Sequence, residues 1–354
     1  MLLLFCCLPI ALGCVLYFVF VRLKIHRRKQ SFWLRLLLGN MLLLLFLVSL
    51  VLLSGEIYVR FYYDTTESFG LSKTTRRWFD RHFVLNNIGF RDSVPYWPAT
   101  RPGSRRLTFF GDSFTAGHGI ADVEDRFANR IRAMHPDDEI HVFATCGWDT
   151  GHELQALNYF TGANYQLEEV VLVYCLNDIA DIDPEWDRVS KRIYDTNPSS
   201  LLHESYFLDM LSCRFRAARD PDIGNYYGFI RDSYSGGIWQ RERLIELVNF
   251  VRGQGGRITV VTFPFLHSLG PDYPYRNIHT KLDRLWREHK VPHLDLLDIF
   301  ETRSPSELVV NSRDVHPNEF AHELAAAAIN EFLEDFLQRT RSQQAGASDR
   351  DAPR

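Results

Sequence analysis

The sequence predicts an α/β fold, a doubly wound, flavodoxin-like parallel sheet, from two observations. First, from residue 105 onward, apolar runs alternate with amphipathic segments. Second, the runs are continuous rather than alternating, as in Val170-Val171-Leu172-Val173-Tyr174. A strand of that kind is buried on both faces, which a parallel sheet covered by helices provides. Right-handed crossovers then carry every strand's carboxyl end to one common edge.

Before that core, the chain reads as a membrane element. Residues 1–21 and 36–53 are almost wholly apolar, each near the roughly 20 residues that span a hydrocarbon core. Between them lie Arg22, Lys24, Arg27, Arg28, Lys29 and Arg35. Basic residues in a short loop mark the cytoplasmic side. Residues 1–55 are therefore expected to form a two-span hairpin in the cell membrane, with everything after it outside the cytoplasm. The alternative for the first segment is a cleaved signal peptide; the missing basic start and small-residue cleavage site weigh against it. Residues 56–104 form a connector. It opens with Tyr58, Phe61, Tyr62 and Tyr63, which suit a membrane–water interface, and ends in Pro95, Pro98, Pro102 and Gly103. Its Asn86-Asn87-Ile88-Gly89-Phe90-Arg91 stretch reads as a structural turn.

The main domain is assigned to residues 105–340. Its strands are expected at 106–112, 139–145, 169–176, 257–264 and 293–299, its helices at 123–135, 151–161, 238–253, 276–289 and 319–338. An insertion, 180–236, interrupts it. There Leu202, Tyr206, Phe207, Met210, Leu211 and Phe215 recur at helical spacing, a stripe that favours packing over a substrate groove. An insertion behind a strand end of this kind is also where lids and specificity elements sit. The polar residues 341–354 are expected to be a disordered tail.

Composition narrows the partners. Of 354 residues, 46% are hydrophobic and 24% charged, and the net charge is −4. No basic stripe runs through the domain, so a nucleic-acid partner is not expected. CxxC pairs and HExxH are absent, which excludes the usual zinc motifs. The six cysteines suggest no disulfide framework.

The residues reaching the predicted sheet edge carry the chemistry. The first strand runs into Gly111-Asp112-Ser113, followed by a helix-compatible segment. The second ends at Thr145-Cys146-Gly147, the third at Leu176-Asn177-Asp178, and Asp314-Val315-His316 precedes the last helix. Serine, aspartate and histidine in that order suit a nucleophilic triad. Ser113 would attack, His316 would take its proton, and Asp314 would hold the imidazole. The amides of Ser113 and Gly147 and the side-chain amide of Asn177 can serve an oxyanion. His118 and His152 are candidates to lie near the site and are read as bystanders.

These four blocks resemble the SGNH (GDSL-type) hydrolase superfamily over about residues 105–340, with Ser113, Gly147, Asn177 and His316 at its four named positions. The resemblance implies a three-layer α/β/α fold and ester or acyl chemistry with no metal and no organic cofactor. Two departures stand out. Arg313, not an acid, lies three residues before His316, with Asp314 two before; that spacing resembles a membrane-anchored bacterial subset. Thr145 stands where many relatives carry Asn. The expected function is a membrane-anchored serine esterase acting on an ester or acylated carbohydrate or lipid. An O-acyltransferase or acetylesterase acting on a cell-surface polysaccharide would use the same residues. A non-catalytic glycan- or partner-binding domain is the remaining alternative, disfavoured by the intact Ser113, Asn177 and His316.

Overall fold

The structure is a computed structural model, and it describes residues 1–22, 32–69, 72–194 and 200–348. Lys24, Arg27, Arg28 and Lys29 of the basic loop lie outside the described residues, as do 349–354. In chain order, two apolar helices come first, α1 (Leu2–Tyr17) and α2 (Phe32–Phe61). Strand β1 (Arg106–Gly111) leads directly into a single helical turn, α3 (Ser113–Ala116). Then follow α4 (Phe127–Met134), β2 (Glu139–Ala144), α5 (Thr150–Gly162) and β3 (Glu169–Cys175). Beyond β3 lie α6 (Tyr206–Arg219), α7 (Arg241–Gly253), β4 (Arg257–Phe263), α8 (Arg276–Glu288) and β5 (His293–Asp295). A small hairpin of β6 (Val309–Asn311) and β7 (Asp314–Pro317) precedes α9 (Glu319–Ser348), which continues past the Arg341 boundary read from composition.

The chain divides into two compact units. The first holds the described residues of 1–65, 70–78 and 195–224; the second holds 66–69, 79–194 and those from 225 onward. The segment 180–236 is thus shared between them.

In the second unit, five parallel strands run in the order β2-β1-β3-β4-β5. This is the flavodoxin-like order, and the strand order changes sense between β1 and β3, where such sheets place ligands. The expected burial on both faces is observed: β1 and β3 are buried along their whole length. Phe109, Phe110, Phe143, Leu172, Val260 and Phe263 are fully inside.

The first unit contains helical stretches Leu2–Phe20 and Leu36–Phe61, both long and apolar enough to cross a membrane. Small residues let these helices approach: Gly39 lies so close to Phe20 that an added Cβ would come within 2.9 Å of the ring. At Gly55, α2 meets the Phe207 ring of α6 in the same way. The next residue, Glu56, accepts hydrogen bonds from Ser205 Oγ at 2.6 Å and Phe207 N at 3.0 Å. A carboxylate there caps the amides of α6 and meets the positive end of its dipole. The Tyr206 ring lies under three cations, with Arg60 at 4.6 Å, Arg77 at 4.9 Å and Lys73 at 5.1 Å. The periodic stripe of the insertion therefore splits. Tyr206, Phe207 and buried Met210 pack within the unit, while Leu211 and Phe215 remain 43% and 58% exposed.

Candidate active site

The site begins with the turn that ends β1. Gly111 has no room for a side chain, since an added Cβ would fall 2.2 Å from Thr115 Oγ1. Asp112 then caps α3, accepting from Phe114 N at 2.9 Å. Gly117 closes the turn at φ +77°, a left-handed conformation that favours glycine. Ser113 is thereby fixed at the sheet's switch point, buried at its base.

The partners of Ser113 arrive on β7. Residues two apart on a strand point to the same face, so the Asp-x-His spacing places both side chains toward the serine. His316 Nε2 accepts from Ser113 Oγ at 2.8 Å, and His316 Nδ1 donates to Asp314 Oδ1 at 2.5 Å. A hydroxyl, an imidazole and a carboxylate joined in this order can serve as nucleophile, base and orienting group in acyl transfer. The departure in spacing has a structural counterpart: the pair sits on a strand, where a separation of two is the one that aligns.

Asp314 is fully buried and has further partners. The Thr66 hydroxyl donates to Oδ2, and His118 Nε2 lies 3.1 Å from the same oxygen. Burial works against its charge, but the imidazoles of His118 and His316 outweigh it and hold the carboxyl well below its ordinary range. For His118, burial opposes protonation, and the Asp314 carboxylate overcomes it, pushing the imidazole up to about 10. His316 is held below its ordinary value, first by burial and then by the charge on His118. That favours the neutral imidazole, the form in which a histidine can accept a proton.

Asn177 and Gly147 reach the same edge. Asn177 Nδ2 donates one proton to Asp112 Oδ2 at 3.1 Å; its second N–H is the one available to an oxyanion. Gly147 adopts φ +83°, with the Tyr194 hydroxyl 3.5 Å from where a Cβ would stand. Behind Asn177, burial pushes Asp112 up to about 6. Asp178 and Glu153 are raised well above the ordinary range, by burial first and then by neighbouring carboxylates.

His152 takes no part in this constellation. It pairs with Asp149 at 2.9 Å at the start of α5, and half its side chain is exposed. His118, read from the sequence as a bystander near the site, is in direct contact with Asp314 and His316. Its one local signal was its place five residues after Ser113, between two glycines. Both Gly117 and Gly119 have positive φ. Thr66 and Tyr194 carried no such signal.

His118, Asp314 and His316 are also the kind of trio that can hold a metal ion. The ring geometry favours a proton network instead. The two imidazoles stack 3.9 Å apart at 11°, so their ring planes are nearly parallel, and in-plane nitrogen lone pairs of parallel rings do not meet at one metal ion.

A family model described as "GDSL-like Lipase/Acylhydrolase family" matches residues 109–324. No curated protein matches the sequence. Among solved structures, the chain is similar to a member of the lipolytic protein G-D-S-L family from Veillonella parvula, at 14% identity and TM-score 0.43, covering 64% of this chain and 97% of that one. It is similar to an acetylxylan esterase from Geobacillus stearothermophilus, at 16% identity and TM-score 0.40, covering 65% and 94%. An extracellular lipase from Streptomyces rimosus matches at 13% identity and TM-score 0.41, covering 66% and 99%.

Proposed function

The chain belongs to the GDSL-like lipase/acylhydrolase family, and from that premise we propose that it is a membrane-anchored serine esterase that removes an ester-linked acyl group through an acyl-serine intermediate, outside the cytoplasm. Its class, an ester-bond hydrolase, follows from the family. The observation that carries the finer reading is the continuous hydrogen-bonded path from Ser113 Oγ through His316 to Asp314.

The chemistry follows from that path. Ser113 Oγ attacks the acyl carbonyl carbon as its proton passes to His316 Nε2. The carbonyl oxygen becomes an oxyanion, met by the amides of Ser113 and Gly147 and by Asn177. The ester C–O bond then breaks, and the leaving alkoxide takes the proton from His316. Water, deprotonated by the same nitrogen, attacks the acyl-serine; the acid leaves and Ser113 regains its proton. Asp314 stays ionised and steadies the transient His316 cation. The anchoring half of the reading rests on the two apolar helices and on the basic residues between them.

A fluorophosphonate probe should label the full-length chain, and Ser113→Ala should abolish labelling and lower kcat by roughly 10⁴–10⁶. Undiminished activity in Ser113→Ala would sink the assignment. Product analysis with acyl donors, with and without a sugar acceptor, separates hydrolysis from acyl transfer. For the anchoring, a reporter active only in the cytoplasm, fused after Arg354, should stay silent; a signal there would reverse the orientation.

A further inference from the structure

Beyond the triad, one buried group is placed to act on it. His118 lies with its Nε2 3.1 Å from Asp314 Oδ2, and its ring is stacked on His316 at 3.9 Å and 11°. Its Nδ1 faces Cys146 Sγ at 3.6 Å, and Phe79 meets it edge-on at 5.1 Å. The loop that carries it is pinned from behind by Arg91, which donates to the carbonyls of Gly117 and Ile120. His118 is buried.

Asp314 thus divides its two oxygens between two histidines, Oδ1 to His316 and Oδ2 to His118. A fully buried carboxylate is costly without a counter-charge. Two stacked imidazolium rings would repel each other, whereas one cation against the face of one neutral ring attracts. Of the two rings, His316 must be neutral to accept the proton of Ser113. The charge therefore belongs on His118.

Resting on the triad reading above, we propose that His118 is a positioning residue of this esterase: as an imidazolium clamped between Asp314 and the face of His316, it holds the carboxylate in place and keeps His316 a neutral base into mildly acidic solution. Of the charged groups that face it, Asp314 favours a cation and Arg91 opposes one, and Asp314 is in direct contact. Asp314 and His316 come from β7, Cys146 from the loop after β2, Phe79 from the helix Lys73–His82, and the Arg91 guanidinium lies behind Gly117. Asp314 is the carboxylate among them, and the upward displacement of His118 to about 10 has that same source once burial is overcome.

The sign of the pH effect follows. Activity is lost as pH falls through the value at which His316 takes up a proton. A neighbouring cation lowers that value, so removing the cation must raise it. His118→Gln keeps a donor for Asp314 and loses the charge. Its acid limb in kcat/KM should move up by about one pH unit, roughly a tenfold loss relative to the wild type on that limb, with far less change above pH 8. His118→Lys, which keeps the charge, should return the limb toward the wild-type position. An unmoved limb in His118→Gln, with Ser113→Ala inactive, overturns the role of His118 while leaving the triad standing. An active Ser113→Ala overturns the triad reading itself. Should His118→Gln fail to fold, nitrogen-15 histidine NMR of the wild-type chain in detergent decides. At pH 8.5 one of the 13 histidines should remain doubly protonated, and a spectrum with every ring neutral rejects the proposal.

Discussion

The two units use the same apolar residue types in opposite ways. In the sheet unit, Val170 to Tyr174 are essentially inaccessible. In α2, Leu43, Leu44, Leu45 and Leu47 are about half exposed, with Leu44 at 60%. Burial of aliphatic side chains away from water stabilises the sheet unit by about 1.5–3 kcal/mol for each large one. The helices leave that surface uncovered, and a surface of this kind is matched by hydrocarbon rather than water. Polar chemistry divides in the same way. The sheet unit gathers Ser113, His316, Asp314 and His118 at one strand edge. The helical unit uses its charges in packing, with buried Glu56 capping α6 and three partly exposed cations around Tyr206.

If that division of labour is right, substitutions in the sheet unit should change rates, and substitutions in the helical unit should change stability. The largest effect after removal of the nucleophile is expected at Asp314→Asn, about 10⁴ in kcat if this carboxylate orients His316. A loss of only a few fold in steady-state assays would mean that the hydrogen bond between Asp314 and His316 is architectural. Next comes Asn177→Ala. It should retain probe labelling and cost roughly 10²–10³ in kcat with a smaller change in KM, the size of one oxyanion donor. A pure KM effect would place Asn177 on the substrate's ground state instead.

The smallest effect tests the other side. Glu56→Ala removes the cap of α6 and should cost on the order of 1 kcal/mol, seen as a lower thermal midpoint in detergent, with kcat unchanged. A kcat loss as large as that of Asn177→Ala would break the comparison, because it would put the helical unit into the chemistry.

How much of this was legible beforehand depends on how far apart in the chain the interacting residues lie. The five parallel strands were legible because burial on both faces leaves a continuous apolar run, a local signal; β5 ends early, at Asp295, because Leu296 already turns into the short helix Leu297–Phe300. The serine turn was legible because Gly111, Asp112 and Ser113 are neighbours and the steric demand on Gly111 is local. The division of segment 180–236 between two units was not, since a helical stripe records that it packs but not on what.

The neighbourhood of Asp314 was hidden for the same reason. Ser113 and His316 are 203 positions apart, and Thr66 and Asp314 are 248 apart. By itself, the sequence determined the sheet, the apolar hairpin and the residue types available for acyl chemistry, each through periodicity or a short motif. Only the tertiary structure decided that β7 would turn Asp314 and His316 to one face and that His118 would stack between them and the loop after β2. Hydrogen bonds and ring stacking act over a few ångströms, and no local pattern records which distant residues will come that close.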